Sequence, residues 1–132
     1  MTEKKKPELL APAGSLEVAL AAFDAGADAV YAGLNKFNAR ERADNFNFDS
    51  IGRLIAFARK NARRVYVTVN TLIKENELPE MMEYLGELAI LGPDAVIVQD
   101  LGVLRMLREY YPQLKIHAST QMGFHNSAGL QL

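Results

Sequence analysis

The segment Gly92-Pro-Asp-Ala-Val-Ile-Val98 joins the end of a predicted helix to the start of a predicted strand. A very similar segment, Gly26-Ala-Asp-Ala-Val-Tyr-Ala32, occurs 66 residues earlier. In both segments a glycine ends the helix, an aspartate follows in the turn, and Ala-Val begins the strand. Repeated junctions of this kind indicate βα units, in which neighbouring parallel strands are connected through helices.

Short apolar segments alternate with helical patterns along the whole chain. Strands are predicted over residues 8–12, 28–32, 64–70, 94–98 and 115–119. Helices are predicted after Ser15, after a cap at Asp49 or Ser50, over Leu78–Leu91, over Leu101–Tyr110, and from Asn126 or Ser127 onward. Because strict β–α alternation implies right-handed parallel crossovers, the pattern predicts an α/β fold with a parallel sheet.

Two parallel architectures fit this order of elements. One is a five-strand doubly wound sheet of flavodoxin type, and the other is the first four to five units of a TIM-like (β/α)8 barrel. The strands start about 27 residues apart, so eight units need roughly 210–220 residues, inside the usual barrel range of about 200 to 250. Only residues 126–132 are left for a helix after the fifth strand, which favours the barrel. We therefore expect residues 1–6 to be a flexible basic tail and residues 7–132 to be a partial barrel, the N-terminal fragment of a longer protein.

Composition limits the class of protein. The chain has 132 residues, of which 49% are hydrophobic and 23% are charged, as expected for one globular domain. It contains no cysteine, which excludes disulfides, a thiolate metal site and a cysteine nucleophile within these residues. No apolar stretch is long enough for a bilayer span, and Met1–Lys6 does not open a secretory signal. A cytoplasmic protein without a membrane partner is expected.

Polar side chains follow several predicted strands at their carboxyl ends, where parallel α/β folds place their binding sites. The candidate binding residues at these strand ends are Asn70, Gln99, Asp100, His117, Ser119 and Gln121, and the long loop after the second strand adds Asn38 and Arg40. Gathered at one edge of a sheet, they would form a convergent polar pocket. Each residue also has a purely structural interpretation: Asp100 as the cap of the helix from Leu101, His117 as a core histidine, and Asn70 as a turn former.

Recognisable catalytic motifs are missing from the sequence. It has no Gly-x-Ser-x-Gly elbow, no His-Glu-x-x-His zinc motif and no glycine-rich phosphate loop. His117 and His125 do not have the spacing of a zinc site. No metal site is predicted, and the residues alone assign no catalytic group.

The first half of the chain is the more basic one, with 11 Lys and Arg against 8 Asp and Glu in residues 1–66. This excess could contact phosphates or could simply be a solvated surface.

Six segments together resemble the collagenase-like peptidase family, peptidase family U32. They are Pro7-Glu-Leu-Leu-Ala-Pro-Ala-Gly-Ser-Leu-Glu17, Asp28-Ala-Val-Tyr-Ala-Gly33, Phe37-Asn-Ala-Arg40, Val67-Thr-Val-Asn-Thr71, Asp94-Ala-Val-Ile-Val-Gln-Asp-Leu-Gly102 and His117-Ala-Ser-Thr-Gln121. The resemblance implies an N-terminal TIM-like barrel in a longer enzyme. It also implies either proteolysis or, as in some members of the family, hydroxylation of RNA bases or quinone precursors with an iron–sulfur cluster. The cluster's cysteines have no counterpart in this chain, so the resemblance implies that this part is not active alone.

Three hypotheses for function follow from these observations. The chain is part of a peptidase, part of an enzyme that hydroxylates tRNA or rRNA bases, or a non-catalytic α/β binding module. The expected partners are accordingly RNA or a peptide. A partial barrel leaves strand edges and apolar side chains uncovered, so self-association through the open side of the barrel is also expected.

Overall fold

Five strands form one parallel sheet in the computed structural model, which describes residues 4–39 and 45–131. The strands are β1 (Leu10–Pro12), β2 (Ala29–Gly33), β3 (Arg64–Val69), β4 (Ala95–Val98) and β5 (Ile116–Ala118). The helices between them are α1 (Leu16–Asp24), α2 (Phe48–Lys60), α3 (Leu78–Leu91) and α4 (Leu101–Tyr110). Short 3-10 helices span Glu75–Glu77, Thr120–Met122 and Gly129–Gln131. The predicted α/β alternation is confirmed.

The order of the strands in the sheet is the order in which they occur in the chain, β1-β2-β3-β4-β5. A flavodoxin-type sheet places its first strand between the second and the third, so its helices cover both faces. Here each right-handed crossover moves one strand further in the same direction, which keeps every helix on one face. This is the winding of a (β/α) barrel wall. Within the described residues β1 pairs only with β2 and β5 only with β4, so the sheet is open.

The two faces of the sheet have different compositions, as β3 illustrates. Val65, Val67 and Val69 belong to the main apolar core, which they form together with the helices. The alternate residues point to the opposite face, because successive side chains of a strand alternate between the two faces. There Tyr66 packs in a smaller cluster with Ala29 and Ala95, to which no helix contributes a buried residue in the described part of the chain. We call this second surface the inner face.

The ends of the helices mostly follow the predicted signals. The Ser15 hydroxyl accepts a hydrogen bond from the Val18 N–H at 3.2 Å and caps α1. Gly92 ends α3 in the left-handed conformation, with φ of 65°. The predicted cap of α2 at Asp49 or Ser50 is wrong, because Asn47 caps this helix. The Asn47 side chain accepts from the Ser50 N–H at 2.8 Å, and the Ser50 hydroxyl accepts from the Asn47 N–H at 3.0 Å.

The predicted helix from Asn126 or Ser127 is also corrected. The structure has a single 3-10 turn over Gly129–Gln131 in its place. Asn126 nevertheless acts as a local acceptor, since its side-chain oxygen receives the Gly129 N–H at 3.0 Å. Among the described helices none is both long and apolar enough to cross a membrane. The division into residues 1–6 and 7–132, and self-association through the open side, stay predictions.

The core between the sheet and the helices gives a direct test of this packing. Leu85 of α3 is completely buried, whereas Ile90 of the same helix is 85% exposed. We expect Leu85→Ala to lower the free energy of unfolding by about 2–5 kcal/mol, because it removes buried contacts and leaves a cavity. The matched control Ile90→Ala should change it by less than about 0.5 kcal/mol. Urea unfolding followed by circular dichroism measures both, and equal losses would contradict the assignment of the two helix faces.

Candidate functional site

A groove of about 710 Å³ lies on the inner face, toward the carboxyl ends of the strands. We call it the inner groove. Residues from all five strands, from the loop after β2 and from the segment after β5 line it, at the edge of the sheet where strand-end polarity predicts a pocket. Its floor is formed by Tyr31, Tyr66, Thr68, Ile97 and His117. Its volume falls within the range of about 300–1,000 Å³ that is typical of small-ligand sites.

Tyr66 occupies the deep part of this floor and is only 6% exposed. Its hydroxyl donates a 2.6 Å hydrogen bond to Glu8 Oε1, and Arg64 forms a 2.7 Å ion pair with the other oxygen of Glu8. Burial, followed by the hydrogen bond to Glu8, raises the pKa of Tyr66 to about 12. Tyr66 is therefore a neutral phenol at physiological pH, and its donor is already used by Glu8.

His117 lies above Tyr66 and is exposed to the groove. The two ring centroids are 4.8 Å apart with an interplanar angle of 69°, an edge-to-face contact. His117 is paired with Ile97 across β4 and β5, which places both side chains in the same row of the inner face. The interpretation of His117 as a core histidine is thus wrong. Its ring is held by an aromatic neighbour and remains accessible from the groove.

Asn38 enters the groove from the loop after β2 and is only 3% exposed. Its amide nitrogen donates to the Leu34 carbonyl. The side chain lies directly over Gly33, where a Cβ atom would come within 2.6 Å of the Asn38 Cγ. Gly33 is thus required for Asn38 to occupy this position. Next to Gly33 in the sheet, the Thr68 hydroxyl donates to the Ala32 carbonyl at 3.3 Å.

Asn70 follows β3 and connects the strand to the same loop. Its Oδ1 accepts the Ala39 N–H at 3.0 Å, so the side chain fixes the backbone next to Asn38. Only the oxygen of the Asn70 amide is used in this contact. Asn70 lines the inner groove, and the hydrogen bonds among the described residues do not use its Nδ2 group.

Ser119 and Gln121, which follow β5, line the groove. Gln99, which follows β4, contacts the same segment. Ser119 is buried, and its hydroxyl accepts the Gln121 N–H at 3.2 Å, which caps the 3-10 helix over Thr120–Met122. Gln99 does not line the groove. Its Nε2 donates to the Gln121 carbonyl at 3.5 Å, a long contact that helps to position this turn.

Asp100 has a structural role and is not among the residues that line the inner groove. Its Oδ1 accepts the Val103 N–H at 2.9 Å and caps α4, while its Oδ2 accepts the Ile73 N–H at 3.2 Å. Both carboxylate oxygens are thus used by backbone groups away from the groove. A polar residue that follows a strand can either face the pocket or cap the next helix. Asp100 caps α4, because the first N–H groups of a helix have no acceptor within the helix.

Arg40 lies outside the described residues, as does the rest of 40–44. The described basic residues give no positive lining to the inner groove. Several of them form ion pairs elsewhere: Lys36 with Glu80, Arg53 with Asp49, Arg63 with Asp28, and Arg64 with Glu8. In the described part of the chain, therefore, the basic character of the first half does not produce a phosphate site at the groove.

Tyr31, Tyr66 and Thr68 line the inner groove and are not among the candidates selected from the sequence. The signal was present in β3, where Val65, Val67 and Val69 alternate with Tyr66, Thr68 and Asn70. A strand covered by helices on one face and facing a pocket on the other should show such alternation. The candidates were selected from the residues at the strand ends, so this alternation within the strand was not used.

An iron–sulfur cluster, which the family resemblance implies, does not fit these residues. The chain has no cysteine to supply thiolate ligands. Across residues 4–39 and 45–131 no group of three or more His, Cys, Asp or Glu side chains is arranged to hold a metal ion. The inner groove therefore provides aromatic and amide groups, without a ligand set for a cluster.

Comparison with known proteins decides the family. The model of peptidase family U32 matches residues 14–132. The chain belongs to peptidase family U32. It is similar to the solved structure of the U32 peptidase Mk0906, with a TM-score of 0.67 and 14% identity over 92% of this chain and 52% of that one. This likeness supports the fold.

Two curated relatives share more sequence with this U32 chain. The tRNA hydroxylation protein P1 of Bacillus subtilis is 36% identical over 96% of the chain and 30% of its own length. The 23S rRNA 5-hydroxycytidine synthase of Escherichia coli is 40% identical over 86% of the chain and 17% of its own length. The chain thus spans less than a third of either relative.

The capping role of Asp100 predicts a loss of stability on truncation. We expect Asp100→Ala to lower the free energy of unfolding by about 1–3 kcal/mol, because the Val103 and Ile73 amides both lose their acceptor. Asp100→Asn should cost less, since an amide oxygen can still cap α4. The control Asp49→Ala removes an exposed i,i+4 ion pair and a carboxylate in the first turn of α2, and should cost less than about 1 kcal/mol. Urea unfolding of the three variants is the test, and a neutral Asp100→Ala would contradict the structural role.

The raised pKa of Tyr66 predicts an alkaline loss of stability. The unfolded chain releases this phenolic proton near pH 10, whereas the folded protein retains it up to about pH 12. The associated stability is therefore fully present below pH 10 and is lost as the pH rises toward 12. We expect Tyr66→Phe to reduce the decline of the unfolding free energy over this interval.

The exposed Tyr110 provides the control, because Tyr110→Phe should leave that decline unchanged. Burial also raises the pKa of Tyr84, so Tyr66→Phe should remove only part of the decline. Chemical unfolding at several pH values, together with tyrosinate absorbance, gives the comparison. An identical decline in Tyr66→Phe and the unchanged protein would contradict the buried, Glu8-bonded state of Tyr66.

Proposed function

We propose that this U32 protein takes part in the hydroxylation of a base in tRNA or rRNA, and that the inner groove faces the RNA. One observation carries the proposal: two relatives, 36% and 40% identical to this chain over 96% and 86% of its length, are named for RNA hydroxylation, one in tRNA and one in rRNA. A cytoplasmic location, where both RNAs are found, belongs to the same proposal.

The chemistry of the groove agrees with a base more than with an RNA backbone. Aromatic rings and side-chain amides line it, with no lysine or arginine among its described residues. Unpaired RNA bases are bound by stacking on aromatic side chains and by hydrogen bonds to their edges, whereas phosphates are bound chiefly by cations. Phosphate contacts would then have to come from residues outside the groove.

A peptidase is the second candidate function, and the name of the family and of its solved member favour it. Serine proteolysis requires a hydroxyl activated by a base. Ser119 and His117 are the nearest candidates, yet the Ser119 hydroxyl accepts the Gln121 N–H, and in the described part of the chain no hydrogen bond joins it to His117. The described residues thus supply no activated nucleophile in support of proteolysis.

An oxidative step on an RNA base needs redox chemistry that side chains do not provide. If an iron–sulfur cluster supplied this redox chemistry, its cysteine ligands would have to come from residues other than these 132, which contain no cysteine. The part assigned to this chain is therefore binding and orientation of the base. A binding module without any catalytic function would show the same groove but no effect on RNA modification.

The test is a comparison of RNA from the natural host with and without the gene. Purified tRNA and rRNA are digested separately to nucleosides, and hydroxylated nucleosides are quantified by mass spectrometry. We expect a hydroxylated nucleoside to disappear from one RNA fraction after deletion and to return on complementation. Unchanged hydroxylation in both fractions would refute the proposal. Loss of a proteolytic product together with unchanged RNA would favour the peptidase instead.

A further inference from the structure

A second cleft lies at the amino ends of β3 and β4, the end of the sheet opposite to the inner groove. The chain is strongly basic here, since residues 59–64 contain four Lys and Arg residues and no Asp or Glu. The cleft has a volume of about 430 Å³, within the range of about 300–1,000 Å³ that is typical of small-ligand sites. We call it the arginine cleft. The residues that line it are Ile55, Arg59, Ala62, Arg63, Arg64 and Asp94.

The turn after α2 brings two arginines to the same side of this cleft. Ala62 has a φ of 53°, a left-handed conformation that reverses the chain direction at the end of the helix. The Arg63 N–H then donates to the Ala58 carbonyl at 2.8 Å. Arg63 therefore starts beside the last turn of α2, which carries Arg59.

The opposite wall comes from the junction between α3 and β4. Arg59 Nη2 donates to the Gly92 carbonyl at 3.2 Å, so its side chain spans the distance from α2 to this junction. Two residues further on, Asp94 Oδ2 accepts the Val65 N–H at 2.8 Å, which ties the junction back to the strand that follows Arg63. Asp94 is exposed, and the hydrogen bonds of the described residues leave its Oδ1 unused. These contacts form a closed ring, so two arginines and one carboxylate surround a single small space.

The guanidinium groups of the arginine cleft have N–H donors that the described structure does not use. The Arg63 side chain is only 35% exposed, yet its ion pair with Asp28 Oδ1 spans 3.8 Å, beyond hydrogen-bond distance. Arg59 forms no ion pair in the part of the chain that the structure describes, and one carbonyl accepts from it. Only Arg64 is firmly paired, with Glu8 at 2.7 Å. Because charged groups withdrawn from water are normally hydrogen-bonded, the unused donors of Arg63 indicate an anionic ligand.

We propose that the arginine cleft binds a ribose phosphate, with phosphate oxygens accepting hydrogen bonds from Arg59 and Arg63 and a ribose hydroxyl donating to Asp94. Arginine suits this role because its planar fork of donors matches the oxygens of a phosphate group. Asp94 would repel an anion that carried no donor, whereas its free oxygen can accept the hydroxyl of a sugar. The ribose phosphate belongs to an RNA chain or to a free nucleotide, which share this chemistry.

This inference goes beyond the proposed function, because the arginine cleft lies apart from the inner groove and shares no lining residue with it. Arg59 also has a structural interpretation, since a cation in the last turn of α2 stabilises the helix dipole. That role explains neither the cleft nor the unused donors of Arg63. A ligand site explains both.

The experiment titrates the purified full-length protein with ribose 5-phosphate, inorganic phosphate and ribose, followed by isothermal titration calorimetry. We expect saturable binding of ribose 5-phosphate that weakens with added salt, weaker binding of inorganic phosphate and no binding of ribose. Arg59→Gln and Arg63→Gln should each weaken ribose 5-phosphate binding about 10- to 150-fold, because each removes a hydrogen bond from a charged donor. The matched control is Arg53→Gln, at an exposed position of α2 outside the cleft, which should bind normally.

Asp94→Asn tests the role assigned to the carboxylate. The amide oxygen can still accept the Val65 N–H, but the negative charge is gone. We expect this variant to bind inorganic phosphate more tightly than the unchanged protein does, and to show a smaller preference for ribose 5-phosphate over inorganic phosphate. An unchanged preference would overturn the assignment of the sugar hydroxyl to Asp94.

A short unstructured RNA and adenosine 5′-monophosphate distinguish the two sources of the ligand. RNA that competes with ribose 5-phosphate and loses affinity in Arg63→Gln would assign the cleft to an RNA backbone. A nucleotide that depends on Arg63, together with RNA that binds Arg63→Gln and the unchanged protein equally, would assign it to a free nucleotide. Either result supports the ribose phosphate site.

Two results would overturn the proposal: no saturable binding of any phosphate probe, or equal losses of affinity in Arg53→Gln and Arg63→Gln. Circular dichroism checks that each variant is folded. If Arg63→Gln does not fold, Arg63→Lys replaces it, and this variant should still bind ribose 5-phosphate more weakly because a single ammonium group lacks the planar fork. RNA hydroxylation in the deletion strain is measured separately, so failure of the cleft and failure of the proposed function give different results.

Discussion

Parallel pairing of five strands in chain order is the constraint on which the rest of this structure depends. With right-handed crossovers that always advance in one direction, α1 to α4 must all cover the same face of the sheet. The opposite face is then left without helices. Polar and aromatic side chains can therefore occupy that face in β3 and β5 without disturbing the main core, and the inner groove follows from the winding of the chain.

The inner face is held together by contacts that differ from those of the main core. Its apolar cluster is small, comprising Ala29, Tyr66 and Ala95 with partly buried neighbours. Tyr66 is stabilised here by an aromatic edge from His117 and by its hydrogen bond to Glu8. A buried hydroxyl without a partner would cost free energy, which the Glu8 carboxylate prevents. Tyr66 in the groove floor is thus held by contacts with Glu8 and His117, neither of which belongs to a helix.

Local signals were sufficient to predict much of the fold. The bounds of α3 and α4 follow the sequence prediction because Gly92 ends one helix, and Asp100 and Pro112 delimit the other. The start of α2 was mispredicted, since the choice of Asn47 depends on a reciprocal hydrogen bond with Ser50 that composition does not reveal.

The candidate site was predicted only in part. Asn70, His117, Ser119 and Gln121 do reach the groove, because parallel strands bring their carboxyl ends to one edge. Gln99 and Asp100 follow a strand in the same way, yet they serve the next turn and the next helix. Whether a residue after a strand faces the pocket depends on backbone direction over one or two residues. No periodic pattern specifies that direction.

The loop after β2 links the shape of the groove to the packing of the helices. Phe37 has a φ of 60°, a left-handed conformation that costs a residue with a Cβ about 1–2 kcal/mol. Its ring is buried in edge-to-face contact with Tyr84 of α3, at 5.3 Å between centroids, and burial of this aromatic surface offsets the cost. The next residue, Asn38, is thereby directed over Gly33, while Asn70 holds the Ala39 N–H. The loop is consequently anchored to the helices on one side and to β3 on the other. The amides at the rim of the groove are therefore positioned by the same packing that stabilises the fold.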